Sequence, residues 1–317
     1  MGSACVRYLL ARGIEVYVYD NLSTGHRESV PQEVLVEGDL AEGEKLRQVL
    51  GEKKIDAVMH FAGSIAVGES VEQPRFYYRN NVVNSLGLLE AMEDVGVRKI
   101  VFSSTAAVYA PVMEGVLREE SAKGPDNPYA VSKYSVERMI GDFSAAYGLG
   151  YVILRYFNAC GASADGRYGE DHEPETHLIP LVLKTALGQR DKVYVFGDDY
   201  DTPDGTGIRD YIHVDDLAEA HYRALEAMEP GGGEIYNIGS GSGNSVLEVI
   251  RTAQEVVGEE IPMVIKGRRA GDAARLVAGA DKLRRQLRWQ PRYGPLRQII
   301  ETAWLWHKTH PAGYGSR

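Results

Sequence analysis

The chain has only two cysteines, Cys5 and Cys160, in 317 residues. Two thiols cannot build a disulfide framework, so both are expected as small packed apolar groups in a reducing compartment. No apolar run approaches the ~18 residues a spanning helix needs. The opening Met1-Gly2-Ser3-Ala4-Cys5-Val6-Arg7 lacks the basic start and long apolar stretch of a secretory signal. A cytoplasmic protein with no membrane partner is expected. Positive charge is also short, with 35 Lys and Arg against 45 Asp and Glu and a formal charge of −10. That balance speaks against coating a polyanion, so no nucleic-acid partner is expected, although a local basic pocket for a small phosphorylated ligand remains open. There is no internal repeat and no low-complexity tract. No carboxylate/histidine group shows a metal-ligand spacing. His172, His177, His213 and His221 are scattered, and no metal is expected.

What the chain does have is alternation. Short β-branched runs at 14–19, 34–36, 55–61, 99–103, 151–157, 193–196 and 234–238 read as strands. Helical periodicity fits 3–12, 42–51, 75–95, 129–147, 176–188, 215–228, 244–257 and 295–308. Strand and helix in turn predict an α/β protein, a doubly wound parallel Rossmann-type sheet with helices on both faces. Such a nucleotide domain normally opens with a strand, a Gly-rich turn and a helix. Here the first strand is missing: the sequence starts on the helix, with Gly2-Ser3 as the end of the turn. A start codon chosen inside a longer reading frame is expected. Ligands in these sheets bind beyond the carboxyl ends of the strands.

The residues at those ends carry usable chemistry. Asp20-Asn21 follows the 14–19 run, where a carboxylate accepts hydrogen bonds from an adenosine ribose and repels the extra phosphate of NADP. Asp-Asn is also good turn chemistry. Glu37-Gly38-Asp39-Leu40 follows the next strand, and Asp39 is placed to hold an adenine amino group, or simply to make a turn. Ala62-Gly63 lets a cofactor approach the backbone. Asn80 is a binding amide or a surface one.

The strongest constellation is Ser103-Ser104-Thr105 at a strand end, followed by Tyr129 and Lys133. Positions i and i+4 of a helix share a face. A phenol near pKa 10 is a poor base at neutral pH, and a nearby cation favours its phenolate. The positive nicotinamide ring of NAD⁺ adds to that, and Thr105 can hydrogen-bond the same substrate hydroxyl. Arg209, in Gly207-Ile208-Arg209-Asp210-Tyr211, and Arg268-Arg269 before Ala270-Gly271-Asp272 offer guanidinium groups that clamp a diphosphate without magnesium.

Taken together, the sequence resembles the NAD-dependent sugar epimerases of the extended short-chain dehydrogenase/reductase family. The likeness runs over essentially the whole chain. It is carried by Asp20 to Gly25, Glu37-Gly38-Asp39, His60 to Gly63, Val67 to Ser70, Tyr77 to Val82, Phe102 to Thr105 and Pro128-Tyr129 with Lys133. It continues with Leu154 to Asn158, Asp204-Gly205-Thr206-Gly207-Ile208-Arg209-Asp210-Tyr211-Ile212-His213-Val214, Tyr236 to Gly239 and Gly243 to Ser245. The Asp-Gly-Thr-Gly-x-Arg-Asp-Tyr-x-His-Val run is highly specific, whereas Tyr-x-x-x-Lys is shared widely.

The resemblance implies C4 inversion of a UDP-hexose, UDP-glucose to UDP-galactose and back, through a 4-keto sugar and tightly held NAD. Tyr129 would be the base, aided by Lys133 and Thr105. The NAD site would comprise Gly2, Asp20, Asn21, Asp39, Leu40, Phe61, Ala62, Gly63, Asn80, Lys133 and Phe157. The UDP-sugar site would comprise Thr105, Asn158, His177, Tyr194, Phe196, Arg209, Arg269 and Asp272. Leu276 would gate N-acetyl substituents, being neither the bulky Tyr nor the small Cys of relatives. The implied layout is a Rossmann domain at 1–157, to which 191–238 partly returns, and a smaller α/β substrate domain from 158–190 and 239–317. A homodimer through the helices at 75–95 and 129–147 is also implied.

Three departures accompany it. Only one glycine of the Gly-x-x-Gly-x-x-Gly turn is present, Thr105 replaces a common Ser, and Ile65 replaces a Lys found in some members. Two other functions stay open at this level. A nucleotide-sugar 4,6-dehydratase would place Asp-Glu after the strand-end Thr, where this chain has Ala106-Ala107. The incomplete turn alternatively suits a non-catalytic nucleotide-sugar-binding remnant.

Overall fold

The computed structural model describes residues 1–110, 115–269 and 272–315. It opens on α1 (Gly2–Leu10) and continues with β1 (Val18–Asp20), β2 (Leu35–Glu37), α2 (Gly43–Glu52) and β3 (Val58–His60). Then come α3 (Val67–Glu72), α4 (Pro74–Tyr77), α5 (Asn84–Val95), β4 (Lys99–Thr105), β5 (Val116–Leu117), α6 (Pro128–Tyr147), β6 (Gly150–Tyr156) and β7 (Asn158–Cys160). The second half holds α7 (Leu178–Ala186), β8 (Val193–Phe196), β9 (Ile208–His213), α8 (Val214–Glu226), β10 (Gly233–Ile238), β11 (Gly243–Ser245) and α9 (Val246–Val257). It closes with β12 (Met263–Lys266), β13 (Arg275–Ala278), α10 (Asp281–Leu287) and α11 (Leu296–Thr309).

A parallel sheet β10-β6-β4-β3 forms the centre. Strand alternation explains its two covers, because successive side chains point to opposite faces. Ile100 and Phe102 of β4 and Ile153 of β6 pack with Leu46, Leu88, Leu89, Val136 and Ile140 from α2, α5 and α6. Val101 of β4 and Val152 and Leu154 of β6 pack oppositely, on Leu217, Ala220, Leu283 and Trp289 around α8 and α10. This is the doubly wound arrangement. The expected gap is also there: β1 pairs only with β2, as a separate two-stranded parallel sheet. With a partner on one side only, the run expected as a strand over 14–19 is hydrogen-bonded from Val18 onward.

A second core, separate from these, gathers Ile179, Val182 and Leu183 of α7, Val193 and Val195 of β8, Val249 and Ile250 of α9, and Ile299 and Ile300 of α11. Near it, β11-β9-β13-β5 makes a mixed sheet, with β7 pairing β9. Several strands here are absent from the sequence reading, β9 above all. Its residues Ile208–His213 read as a motif rather than a strand, since polar Arg209, Asp210 and His213 interrupt the apolar pattern.

The helix expected over 75–95 is interrupted. Residues Tyr78–Val83 form a π-helical turn between α4 and α5, a rare distortion that often marks a functional position. By contrast α6 runs from Pro128 to Tyr147 as expected. The Asn127 side chain accepts the Ala130 N–H at 3.0 Å, Pro128 occupies the first turn, and Gly148 at φ 71° ends the helix. Cys5 and Cys160 are both free and buried.

Candidate active site

The last residues of β4 and the first turn of α6 meet at the carboxyl end of the central sheet. Tyr129, the second residue of α6, is half-buried. Burial lifts its pKa above the ordinary phenol value, and a hydrogen bond from Thr105 opposes the rise. Thr105 Oγ1 already accepts the Ala107 N–H at 3.1 Å, so its own hydrogen is free to donate to the phenol oxygen. Thr105 stands opposite Tyr156 in the β4–β6 register.

Lys133, one turn along, is 4 % exposed. Its Nζ donates to the Ser103 carbonyl at 3.1 Å and lies 5.0 Å from the Phe102 ring centre. Burial lowers its pKa to about 8, against the pull of Glu137. In the structure the two groups that shift the Tyr129 pKa are its own burial, which raises it, and Thr105, which lowers it. The lysine points to the strand end and to Gly63, where a Cβ would come 3.4 Å from Nζ and 3.1 Å from Asn81 Oδ1.

One further turn along, Glu137 completes a buried network that the sequence reading missed, although Tyr129, Lys133 and Glu137 share the four-residue helical spacing. Glu137 accepts Arg155 Nε at 2.9 Å and a second guanidinium bond from Nη2. It also accepts the Ser104 hydroxyl. Arg155 in turn donates to the Tyr109 hydroxyl at 3.1 Å. These bonds pin α6 to β4 and β6 and so set where Tyr129 and Lys133 lie. Two more missed residues, Tyr156 and His221, both bond Ser103. The Tyr156 hydroxyl does so directly, and His221 Nε2 lies 2.9 Å from Ser103 Oγ. His221 and His60 are buried neutral, with pKa values lowered to about 4 and about 3 mainly by desolvation.

The expected cofactor residues follow the strand ends from β1 to β6. Asp20 and Asn21 are exposed after β1, and Asn21 Nδ2 donates to Asp39 Oδ2 at 2.6 Å. Leu40 packs into the core beneath them. Phe61 stacks obliquely on His221 at 4.9 Å, with Gly2 against its ring and Ala62 exposed beside it. Gly63 has φ 145°, a conformation open only to glycine. Asn80 and Asn81 lie in the π-turn. Asn80 Nδ2 donates to Ser64 Oγ at 3.0 Å, and Asn81 clamps the Ser64 backbone and the Ser132 hydroxyl. Phe157 caps β6, its N–H reaching the Ile238 carbonyl at 3.3 Å. An exposed carboxylate at Asp20, a side-chain-free approach at Gly63 and a buried ammonium at Lys133 suit a dinucleotide.

A cavity of about 210 Å³ lies beside the second core, whose Cys160, Ile179 and Tyr211 form part of its wall. Seven expected substrate residues line it: Asn158, His177, Tyr194, Phe196, Arg209, Arg269 and Asp272. Asn158 lies two residues past Tyr156, the last residue of β6 and the strand partner of Thr105. Arg209 donates to the Ile208 and Ala273 carbonyls, each at 2.9 Å. Asp272 pairs with Arg269 at 2.9 Å and approaches Arg209 at 3.8 Å, and Arg269 sits 4.8 Å from the Phe196 ring centre. Two guanidinium groups about one carboxylate suit an incoming diphosphate. Ala270 and Gly271 lie outside the described residues. Leu276 is not part of this lining. It stands beside Arg209 in the β9–β13 register and packs toward Val108, Tyr109 and Leu117.

The expectation of no carboxylate/histidine cluster is overturned. Glu170, His172, Glu175 and His177 offer donor atoms all within 4.8 Å of one another. Their Glu-x-His-x-x-Glu-x-His spacing falls on an irregular loop before α7, so neither helical nor strand periodicity displays it.

Comparison with known proteins agrees with this geometry. The sequence pattern of the NAD dependent epimerase/dehydratase family matches residues 1–239. The UDP-glucose 4-epimerase of Lacticaseibacillus casei is 46% identical over 319 residues, covering 100% of this chain and 96% of that protein. A crystal structure of a UDP-glucose 4-epimerase superimposes with a TM-score of 0.96 at 48% identity, covering 99% of this chain and 96% of the other. The Bifidobacterium longum UDP-glucose 4-epimerase, solved with NAD⁺ and UDP, gives 0.92 at 38% identity, covering 98% and 96%.

Proposed function

The chain belongs to the NAD dependent epimerase/dehydratase family, and from that premise we propose that it interconverts UDP-glucose and UDP-galactose. The observation that carries the reading is the half-buried Tyr129 hydroxyl, hydrogen-bonded by Thr105, whose strand partner Tyr156 lies two residues before Asn158 of the arginine-lined cavity. When bound, NAD would supply the acceptor for the C4 hydride and the donor for its return, so that the reaction is redox-neutral overall.

The chain's own residues do the rest. Tyr129 removes the 4-hydroxyl proton and later gives it back. Thr105 donates to the phenolate oxygen and so holds the base in its active form. Asp20, Asn21, Asp39 and Leu40 would hold the adenosine half of the cofactor. Phe61, Ala62, Gly63, Asn80, Lys133 and Phe157 would hold the other half, with Lys133 as the cation. Arg209 and Arg269 anchor the diphosphate while Tyr194 and Phe196 flank the base. Few polar groups reach the hexose, so the 4-keto ring is free to turn and present its other face.

Elimination of water by a 4,6-dehydratase is disfavoured, because Ala106-Ala107 supplies no acid after Thr105. Two functional units, a dinucleotide-binding one built on the central sheet and a UDP-sugar one built on the α7, α9 and α11 core, fit the separate hydrophobic clusters. A homodimer through α4–α5 and α6 is supported by the exposed Val71, Phe76, Tyr78 and Val83 on and beside these helices. A cytoplasmic setting is supported by the two free thiols. Among the described residues no helix is long and apolar enough to cross a membrane.

The test is direct. The NAD-loaded chain should convert UDP-galactose to UDP-glucose and back to one equilibrium mixture. A 4-keto-6-deoxy product, or no conversion, would refute the proposal.

A further inference from the structure

We propose that Glu170, His172, Glu175 and His177 form a binding site for a divalent transition-metal ion of the zinc class. The site lies on the loop before α7, with His177 also lining the UDP-sugar cavity. The argument stands on geometry. Ligand atoms about 2.0 Å from a tetrahedral ion stand about 3.3 Å from one another. His172 Nε2 lies 3.1 Å from Glu170 Oε1, 3.3 Å from His177 Nδ1 and 3.4 Å from Glu175 Oε1. His177 Nδ1 lies 3.7 Å from Glu175 Oε1 and closer still to Glu170 Oε1. Two imidazoles and two carboxylates are the donor set a zinc-class ion takes.

The surroundings orient these donors. His172 Nδ1 is 3.1 Å from the Pro174 carbonyl, so that nitrogen carries a hydrogen and Nε2 is the one left to give its lone pair to an ion. This is the outer hydrogen bond that metal-bound histidines make. Glu175 Oε1 is fixed by the backbone N–H groups of Thr176 and His177, at 2.7 and 2.8 Å. The independent observation is the other oxygen. The Glu175 side chain is 4 % exposed, yet Oε2 is buried with no hydrogen-bond partner among the described residues. A buried carboxylate oxygen left unpaired is costly. A cation held at Oε1 would compensate the charge of this buried carboxylate. Four protein donors make a closed shell, which points to a structural ion that ties the loop together.

The experiment uses the tag-free, NAD-loaded chain, treated with chelator and then titrated with zinc chloride. One Zn²⁺ per chain should survive gel filtration. In His172→Ala and Glu175→Gln the dissociation constant should rise at least ~100-fold, with the circular dichroism spectrum unchanged. Cobalt(II) provides a readout that needs no variant: the unaltered chain should give the visible bands of a tetrahedral complex. Failure of the unaltered chain to retain zinc would overturn the site. So would one equivalent kept by both variants (an adventitious ion only), or a pale six-coordinate cobalt spectrum. Because binding is read, not turnover, the outcome is separate from the fate of the proposed activity.

Discussion

Two neighbouring regions of this molecule solve opposite problems. At the end of the central sheet, Lys133, Glu137 and Arg155 are each no more than 5 % exposed, and every one has a fixed partner. Across the cavity, Arg269 has a side chain 61 % exposed and Tyr194 and Phe196 are 40 % and 37 % exposed. The first region sets protonation states, which requires low dielectric and immobile dipoles. The second grips a diphosphate that has to enter and leave, which favours charges that stay hydrated until the ligand arrives. The difference teaches that chemistry and affinity are separable here, and single substitutions should separate them.

The largest effect is expected at Tyr129. Tyr129→Phe removes the hydroxyl proposed as base and should lower kcat by roughly 10³-fold or more. UDP binding should be unchanged by calorimetry. A variant retaining more than a tenth of the wild-type kcat would break the contrast between the regions. Next comes the support beneath it. Glu137→Ala strands the Arg155 guanidinium in the core and should cost about 3–5 kcal/mol of folding stability in denaturant titrations. A loss below 1 kcal/mol would mean that the network does not hold α6.

The open region should respond differently. Arg269→Ala should raise KM roughly tenfold with kcat nearly constant, because the diphosphate contact persists from ground state to transition state. A fall in kcat at constant KM would place Arg269 in the chemistry instead.

The finest test is of pH. Thr105 is the group that opposes the burial of Tyr129 and so lowers its pKa. Thr105→Ala should move the acidic, rising limb of the kcat profile to higher pH, losing activity at neutral pH and recovering part of it in alkali. Thr105→Ser should restore the profile, and an unshifted limb in Thr105→Ala would contradict the hydrogen bond. The buried histidines give a matching signature in stability. His60 and His221 stay neutral in the fold to about pH 3 and 4, whereas the unfolded chain protonates them near 6.5. The unfolded state then binds more protons between those values. Their contribution is present above about pH 6.5 and is lost as the pH falls toward 3–4. Melting curves across that window check the sign.

The sequence was readable wherever periodicity carried the information. The runs around Ile100 and Ile153 and the long helix from Pro128 show the alternation or the caps that burial and hydrogen bonding demand. Residues beyond strand ends, such as Asp20, Thr105 and Tyr129, could be chosen because the fold class says where ligands lie. Legibility failed where the cause is long-range. Strand β9 carries Arg209 and Asp210 through a sheet, so its pattern is not that of a strand. Partners such as Glu137 with Arg155, or His172 with Glu175, meet through tertiary packing or an irregular loop. The π-turn at Tyr78–Val83 is invisible because its hydrophobic spacing is that of an ordinary helix.

The central claim is that a hydrogen leaves C4 and returns to the same carbon from the other side, with Tyr129 handling only the hydroxyl proton. UDP-galactose deuterated at C4, turned over by the NAD-loaded chain in ordinary water, tests it most directly. Mass spectrometry and proton NMR of the UDP-glucose formed should find the deuterium retained at C4. Deuterium lost to solvent would contradict the account.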